Sequence, residues 1–375
     1  MITDGEPGRV AQIVEVPARF RGQIPGLTGL RGLGAAWVVL FHLTQEQDIA
    51  ILDKGFLGVD LFFILSGFVL SHVYPADIRT LRNYAEFLKL RFARIYPLYV
   101  FVLCAVGLVV VLLPGFADNY PFPQRRFGPE AFIASLVLIQ NWAYFLPGCW
   151  NAPAWSLSAE WFAYLAFPAF QYTTLRFRSR HAPLLVMMTG FLLLYMILSG
   201  RGASLNVSGS PGMLRMVVEF AAGCLLCRAW KNGLTCPPTA ATTVALGLLM
   251  LGLLIPGAEI LALPAFSLFV LLAVQRDGLL PRIAQSPAIL WLGDISYSLY
   301  LDHWLIIQLA NWWNRDIDMP LAAILEWMVA LMAAMLLVAA MTHRWIELPA
   351  RAWVRQMGTR PRRRPAPGFP RKPGV

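Results

Sequence analysis

The sequence is poor in charged residues and lacks any regular arrangement of cysteines. Asp, Glu, Lys and Arg make up 14% of its 375 residues, whereas a typical soluble domain carries about 25%. Apolar residues fill 58% of the chain, and a soluble protein of this composition would be hard to keep in solution. The shortage of charge therefore excludes an ordinary soluble enzyme.

The five cysteines form no evenly spaced framework, which disfavours a disulfide scaffold. Cys224 and Cys227 make a C-x-x-C pair, but the sequence has no second pair and no histidine near them, so we expect no metal site. The sequence also shows no internal repeat, and the inverted-repeat plan of many transporters therefore gains no support. The net charge of +10 is concentrated in particular loops and in the tail. We interpret it as a topology signal and expect no nucleic-acid partner.

What the sequence does contain is eleven apolar segments. They have 14 to 23 residues, and most are close to the length that a helix needs to cross roughly 30 Å of hydrocarbon. They lie at residues 27–44, 55–74, 92–113, 132–146, 157–170, 183–199, 212–229, 239–255, 259–274, 288–310 and 321–343. These segments predict an all-α fold, a polytopic transmembrane helical bundle.

Lysine and arginine predict the orientation of the bundle, because cytoplasmic loops carry an excess of both residues. They cluster before the first segment, after the second and fifth segments and in the tail, as Arg19, Arg21, Arg31, Arg79, Arg82, Lys89, Arg91, Arg176, Arg178, Arg180 and seven arginines from Arg344 to Arg364. Loop 114–130, which contains Arg125 and Arg126, is the exception. If that loop is outside and residues 171–182 are inside, the two short segments 132–146 and 157–170 together make one net crossing.

We therefore predict about ten crossings, one re-entrant or broken segment, and both termini in the cytoplasm. The chain would divide into a cytoplasmic segment at 1–23, a transmembrane domain at 24–351 and a basic Pro/Arg-rich cytoplasmic tail at 352–375. We expect the tail to be disordered and to lie against anionic membrane lipid.

A few polar residues lie within the apolar segments, where a charge needs a cavity or a partner. Arg31 and His42 are eleven residues apart in the first segment, which places them on nearly one helix face and about 16 Å apart. Each has an ordinary alternative role, Arg31 as a snorkelling residue at the cytoplasmic boundary and His42 as a hydrogen-bonded residue at a helix end. Asp60, near the start of the second segment, is expected at the same outer end as His42.

Two further groups follow from the same topology. Arg91 and Arg94 share a helix face at the cytoplasmic boundary, either as ordinary positive-inside charge or as a clamp for phosphate oxygens. Glu160 lies in an apolar outer segment and needs a partner, and the tenth segment offers candidates that include Tyr297 and His303. The charge pattern thus separates an outer-half level, with His42, Glu160 and His303, from a cytoplasmic mouth, with Arg91, Arg94, Arg344 and Arg351.

The polar residues lie in six motifs: Arg31-x10-His42, Gly-Val-Asp-Leu-Phe-Phe-Ile-Leu-Ser-Gly-Phe at 58–68, Arg-x-x-Arg at 91–94, Ser-Leu-Ser-Ala-Glu-Trp at 156–161, Ser-Tyr-Ser-Leu-Tyr at 296–300 followed by His303, and Glu-Leu-Pro-Ala-Arg at 347–351. In order and spacing, these motifs are similar to those of the acyltransferase-3 family of membrane-bound O-acyltransferases. The resemblance covers residues 24–351. Thr28 departs from it, because the family often has Asp there, and so does Asp302, where an apolar residue is usual.

The resemblance implies a transferase that moves an acyl group, commonly acetyl, from cytoplasmic acyl-CoA to a hydroxyl of a carbohydrate or lipid-linked glycan, often one destined for the cell envelope. It implies a multi-pass protein of the bacterial inner membrane, with acyl-CoA, the glycan acceptor and membrane lipid as partners. It also implies that His42 carries the central chemistry and that Arg91 and Arg94 contact the donor.

Acyl transfer to an alcohol needs a base, donors for the developing oxyanion and alignment of the two substrates. We hypothesise that His42 is the base, because a neutral imidazole titrates near neutral pH, and that Glu160 or else Asp60 orients it. The candidate oxyanion donors are His303, Tyr297 and Ser66. A mechanism in which His42 itself becomes acylated fits the same arrangement.

For the donor, we expect Arg91 and Arg94 to hold the adenosine phosphates and Arg31 to bind the pyrophosphate or the entrance of the pantetheine arm. Arg344 and Arg351 are expected at the same cytoplasmic mouth. The alternative function is a transporter or flippase, in which the buried charges form a substrate or proton path.

Overall fold

The computed structural model describes residues 24–45, 49, 51–74, 78, 80–142, 150–275, 278–314 and 321–356. Every regular element within these ranges is a helix, which confirms the all-α prediction. The α-helices in chain order are α1 (Pro25–Leu43), α2 (Gly58–Val73), α3 (Leu81–Leu112), α4 (Pro123–Arg126), α5 (Pro129–Leu136), α6 (Trp155–Thr174), α7 (Ala182–Ser199), α8 (Gly209–Lys231), α9 (Pro238–Leu254), α10 (Ala262–Ala273), α11 (Leu279–Ala284), α12 (Pro287–Asn314), α13 (Leu321–Thr342) and α14 (Leu348–Gln356). The predicted segment 1–23 and residues 357–375 of the predicted tail lie outside the described residues.

Six helices are long and apolar enough to cross a membrane. Within the described part of the chain they are Pro25–Leu43, Gly55–Val73, Leu81–Leu112, Ala182–Ser199, Gly209–Lys231 and Ala323–Val354. Two shorter apolar helices occupy Pro238–Leu254 and Glu259–Ala273. The structure is therefore that of a multi-pass membrane protein, while the number of crossings and the side of each terminus stay predictions.

Of the two short segments predicted to make one crossing, the first is broken. Helix α5 has only eight residues and so extends about 12 Å, after which the chain continues in turns to residue 142. The second segment lies within α6, which has 20 residues. Leu138 in the break has a φ of 59°, and its carbonyl accepts a hydrogen bond of 2.9 Å from the buried Ser158 hydroxyl of α6. The break thus packs against protein, as irregular backbone at membrane depth requires.

Helices α1 and α12 form one of the two most extensive contacts of the bundle. Arg31 and Ser296 are in contact near the beginning of both helices, and His42 and His303 are in contact further along both. The two helices therefore run in the same direction. This pairing aligns the polar residues of α1 with those of α12.

Helices α2 and α8 form the other extensive contact, and glycines bring their backbones together. A Cβ atom at Gly67 would lie 2.1 Å from the carbonyl oxygen of Phe220, and one at Gly223 would lie 2.1 Å from that of Ile64. Small residues at such crossings allow the close packing that drives helix association in membranes.

The end of the bundle differs from the predicted tail at 352–375. Helix α13 continues through a π-helical turn at His343–Glu347 into α14, which ends at Gln356. The first five residues of the predicted tail are therefore helical. Arg351 donates a hydrogen bond to Glu347, which lies four residues earlier, and such a pair supports a helix at this spacing.

The contact between α2 and α8 yields a prediction. We expect Gly67→Ala to lower the free energy of unfolding by about 1–3 kcal/mol, because the added methyl group overpacks against backbone that must shift. Gly247→Ala in α9 is the matched control, since a Cβ at that exposed glycine meets no described atom within 4 Å. Thermal unfolding in detergent micelles measures both variants. Equal stability of the two would contradict the packing argument.

Candidate active site

A cavity of about 710 Å³ lies at one end of the bundle. Helices α1, α3 and α12 begin at this end and α2 ends there, and the distribution of Lys and Arg predicts that it faces the cytoplasm. Along α2 the lining residues run from Val59 to Tyr74, which corresponds to about 22 Å along the helix axis. The cavity is therefore deep rather than a shallow surface depression.

The end of the cavity near the beginning of α1 is rich in positive charge. Its lining includes the arginines Arg31, Arg91, Arg94 and Arg351 and the carboxylates Glu160 and Asp294. Arg31 donates hydrogen bonds of 2.9 Å to the Ser296 hydroxyl and to the Gly293 carbonyl of α12. Arg91 donates one of 3.2 Å to the Tyr74 hydroxyl, while its buried Nε atom has no hydrogen-bond partner among the described residues. The cavity thus presents guanidinium groups with donors that can still bind an anion.

A buried carboxylate, Glu347, organises the arginines near α14. Its side chain is 1% exposed and accepts hydrogen bonds from Ser298 at 3.0 Å, from His343 at 2.7 Å and from Arg94 at 3.4 Å, and also from Arg351. Sequence reasoning did not assign a role to Glu347 or His343. The sequence did contain one indication of such a role, because Glu347 is the first residue of the Glu-Leu-Pro-Ala-Arg motif.

Two predicted site residues, Ser66 and Glu160, meet in the middle of the cavity. The Ser66 hydroxyl donates to Glu160 at 2.8 Å, and the Tyr164 hydroxyl donates to the same oxygen at 2.6 Å. Tyr164 was missed by sequence reasoning, although its position four residues after Glu160 places both on one helix face. Tyr297 lines the same wall and donates to the carbonyl of Ile95 on α3.

His42 and His303 form a pair further along α1 and α12. The Nδ1 atom of His42 lies 2.9 Å from the Val38 carbonyl oxygen and 3.3 Å from Nε2 of His303. The Nδ1 atom of His303 lies 3.1 Å from the Leu299 carbonyl oxygen. His303 is fully buried, whereas His42 is partly exposed.

The hydrogen bonds of this pair define the tautomers of the neutral rings. A carbonyl oxygen can only accept, so Nδ1 of each histidine carries the proton. Nε2 of His303 is then an acceptor and receives a share of the His42 Nδ1 proton. In this arrangement Nε2 of His42 is unprotonated and has a free lone pair, which a general base or a nucleophile requires.

Neither histidine is among the described residues that line the cavity. The inner end of the cavity is instead formed by aromatic rings, including Phe62 and Tyr300, whose centroids are 5.7 Å apart in an edge-to-face contact. The Tyr300 ring lies 5.9 Å from that of His303. The predicted polar channel is therefore interrupted by aromatic side chains before it reaches the histidines.

The expectation that Glu160, or else Asp60, orients His42 finds no support in the described contacts, because Glu160 pairs with Ser66 and Tyr164. Asp60 is fully buried and accepts two hydrogen bonds from Arg215 of α8, one of them 2.7 Å long from Nε. Glu219 lies 3.4 Å from the same Nε atom. Among the described hydrogen bonds of His42, no carboxylate takes part. Arg215 was missed, although a charge in the apolar segment 212–229 was a signal for a buried ion pair.

Arg344 is the other predicted residue that the structure does not bring into the site. It lies in the π-helical turn, is exposed, and is not among the described residues that line the cavity. The remaining predicted donor-binding residues, Arg31, Arg91, Arg94 and Arg351, all line it. In the described part of the chain, no group of three or more His, Cys, Asp or Glu side chains is placed to hold a metal ion.

Comparisons with known proteins give the family. The family model described as an acyltransferase domain, of the acyltransferase-3 type, matches residues 24–343. This chain belongs to the acyltransferase-3 family. The match includes the motifs that carry Arg31, His42, Arg91, Arg94 and the histidine of α12.

The relatives of this acyltransferase-3 chain include two bacterial acyltransferases. The chain is 32% identical over 161 residues to acyltransferase MdmB of Streptomyces mycarofaciens, a match that covers 39% of this chain and 38% of that protein. It is 26% identical over 372 residues to O-acetyltransferase OatA of Staphylococcus aureus, a match that covers 88% of this chain and 57% of that protein. The chain thus spans little more than half the length of OatA. No solved structure gives a significant match.

The buried ion pair yields a prediction. We expect Arg215→Met to cost about 3–5 kcal/mol of unfolding free energy, because it leaves Asp60 and Glu219 as neighbouring buried carboxylates. Asp60→Asn should cost less, since Glu219 is close enough to take over the guanidinium. Arg201→Met, at an exposed arginine, is the control and should be nearly neutral. Denaturant unfolding in micelles measures all three, and a neutral Arg215→Met would contradict the structural role of the pair.

Proposed function

We propose that the protein is a membrane O-acyltransferase that moves an acyl group, most often acetyl, from cytoplasmic acyl-CoA to a hydroxyl of a carbohydrate or lipid-linked glycan at the bacterial inner membrane. One observation carries the proposal: a deep cavity has arginines at one end and aromatic rings at the other, and one of these rings, Tyr300, lies beside His303, the partner of a histidine with an available lone pair. Membership in the acyltransferase-3 family supports it, as does the O-acetyltransferase name of OatA.

The shape and charge of the cavity suit a CoA thioester. Such a donor has several phosphate charges at one end and a thioester at the end of a slender, neutral arm. Arginine forks match phosphate oxygens and keep their charge at low dielectric. We assign the phosphates to Arg91 and Arg94, with Arg31 and Arg351 on the adjoining walls. Arg344, which is exposed, has no place in this assignment.

The extent of the cavity suits the arm of the same donor. The lining residues extend about 18 Å along α2, from Tyr74, which Arg91 contacts, to the ring of Phe62. Phosphates bound at the mouth would therefore leave the thioester deep in the bundle. Glu160, which accepts from Ser66 and Tyr164, lies along this path and partly balances the positive charge of the arginines.

The chemistry centres on Nε2 of His42. In direct transfer, Nε2 takes the proton of the acceptor hydroxyl, the oxygen attacks the thioester carbonyl, the carbon–sulfur bond breaks, and the proton passes to the CoA thiolate. In the covalent alternative, Nε2 attacks the thioester carbonyl and the carbon–sulfur bond breaks, which gives an acyl-histidine and CoA thiolate. The acceptor oxygen then attacks the acyl carbon, the carbon–nitrogen bond breaks, and the hydroxyl proton passes to the CoA thiolate. Both routes use the same lone pair, and trapping of an acyl-histidine by rapid acid quench would distinguish them.

His303 has a positioning role in this mechanism. Both of its nitrogens are engaged, Nδ1 with Leu299 and Nε2 with His42, so we do not assign it as an oxyanion donor. The Tyr297 and Ser66 hydroxyl protons are likewise engaged, with Ile95 and Glu160. The proposed mechanism therefore replaces the expected carboxylate with a neutral imidazole as the group that orients His42.

Family membership favours this enzyme over the transporter or flippase considered from the sequence. The buried charges have roles that transport does not require. Arg215 and Asp60 form a structural pair, and the cavity arginines face a common space.

The role of His42 can be tested by His42→Ala in the full chain. We expect transfer to fall by at least about 100-fold, the usual contribution of an acid–base group, while acyl-CoA still binds because His42 does not line the cavity. Transfer is measured by CoA release from the purified protein and by mass spectrometry of surface glycans. Binding of acetyl-CoA is measured by calorimetry. His181→Ala, at an exposed histidine, should retain full activity. Normal glycan acylation by His42→Ala would exclude this mechanism.

The donor site can be tested by a charge reversal on α3. Arg91→Glu should raise the KM for acetyl-CoA by at least about tenfold, because one charge-assisted contact is worth about 1.5–3 kcal/mol. Arg82→Glu carries the same change on the same helix at an exposed residue and should leave the KM nearly unchanged. If the two variants respond alike, the effect is a general one of surface charge and the assignment of Arg91 is wrong.

A further inference from the structure

Two aromatic rings separate the cavity from the histidine pair. Phe62 and Tyr300 both line the cavity, and their rings meet edge to face at a centroid distance of 5.7 Å and an interplanar angle of 87°. Tyr300 in turn lies 5.9 Å from the ring of His303. A thioester in the cavity therefore meets this aromatic pair before it can reach His42.

The register of α1 shows that Phe62 stands on the path to His42. Arg31 lines the cavity, and Gly34 and Val38 follow at helical spacing on the way to His42. A Cβ atom at Gly34 would lie 3.0 Å from Cε1 of Phe62. The Phe62 ring thus packs on bare backbone of α1, between the arginine and the histidine.

The two rings differ in how firmly they are held. The Tyr300 hydroxyl lies 2.9 Å from the Pro153 carbonyl and 2.7 Å from the Ser156 hydroxyl. Phe62 has no hydrogen-bonding group, and its side chain is only partly buried. The hydrogen bonds of Tyr300 therefore fix its ring, whereas the Phe62 ring is free to change rotamer.

We propose that Phe62 sets the size of the acyl group that is transferred. This inference rests on the proposed acyl-CoA donor. A short acyl chain passes with a small rotation of the Phe62 ring, whereas a longer chain needs the volume that the ring fills. The substrate class is thus short-chain acyl thioesters, and Phe62 is a specificity-determining residue.

Another phenylalanine of α2 provides the matched control. Phe68 is fully buried and packs against Trp230 at a centroid distance of 5.7 Å, and it is not among the described residues that line the cavity. Phe68→Ala removes the same atoms from the same helix. It should lower stability and leave the choice of acyl chain unchanged.

The experiment compares kcat/KM for acetyl-, butanoyl- and hexanoyl-CoA in the purified full chain. We expect Phe62→Ala to raise the hexanoyl-to-acetyl ratio by at least about tenfold, since a single methylene in an apolar pocket already discriminates by 10–200-fold. Phe62→Leu, which preserves more of the volume, should give a smaller rise and serves if the alanine variant does not fold. A ratio unchanged in both variants, or raised equally by Phe68→Ala, overturns the inference.

The design separates this inference from the function on which it rests. If the wild-type chain neither binds nor consumes any acyl-CoA, the proposed function fails. If it consumes acetyl-CoA and the Phe62 variants keep its chain-length preference, the proposed function stands and the role of Phe62 fails.

Discussion

Helices α1 and α12 approach each other so closely that side chains are excluded at their crossing. A Cβ atom at Gly32 would lie 2.6 Å from the backbone nitrogen of Gly293. Because the two helices are parallel, this contact fixes the depth of both at once. Arg31 meets α12 at the cavity and His42 meets it at His303, so one packing constraint sets the position of the anion-binding end and of the reactive imidazole.

Buried charge in this protein is arranged in two ways. Arg215 is completely enclosed and paired with Asp60, which holds α2 against α8 and serves the fold. The cavity arginines are less completely enclosed, and Glu347 neutralises part of their charge. An ion pair deep in a low-dielectric interior must be complete, because an unpaired charge there is very costly. A site that receives an anionic ligand can leave hydrogen-bond donors without a partner until the ligand binds. The Nε atom of Arg91 is such a donor among the described residues.

Much of the fold and part of the site could be predicted from the sequence. Apolar segment lengths gave the helices, and the positions of Lys and Arg indicated which residues share one end of the bundle. The partners were harder to predict, because a linear pattern gives the depth of a residue in the bundle and says little about which neighbouring helix it faces. Asp60 and His42 have similar expected depths, yet Asp60 faces α8 and His42 faces α12.

The same limit explains the residues that were missed. Glu347 belongs to a motif that was recognised, but its role arises from side chains of α3, α12 and α14 that converge only in the folded chain. The orientation of His42 by His303 depends on two backbone carbonyls that define the tautomers. The composition of a segment does not show which carbonyl a histidine ring contacts. The break after α5 could be expected as one of two options, and only the structure decided between them.

The π-helical turn at His343–Glu347 constrains how this part of the chain can vary. A π turn holds one more residue than an α turn, and here it keeps His343, Glu347 and Arg351 on one side of the helix over two turns. Loss of a single residue from the turn would rotate α14 by about 100° relative to α13 and carry Arg351 away from the cavity. A change of length here would therefore displace Arg351 even if every side chain were kept, so the spacing between the histidine and the arginine is a constraint separate from their identities.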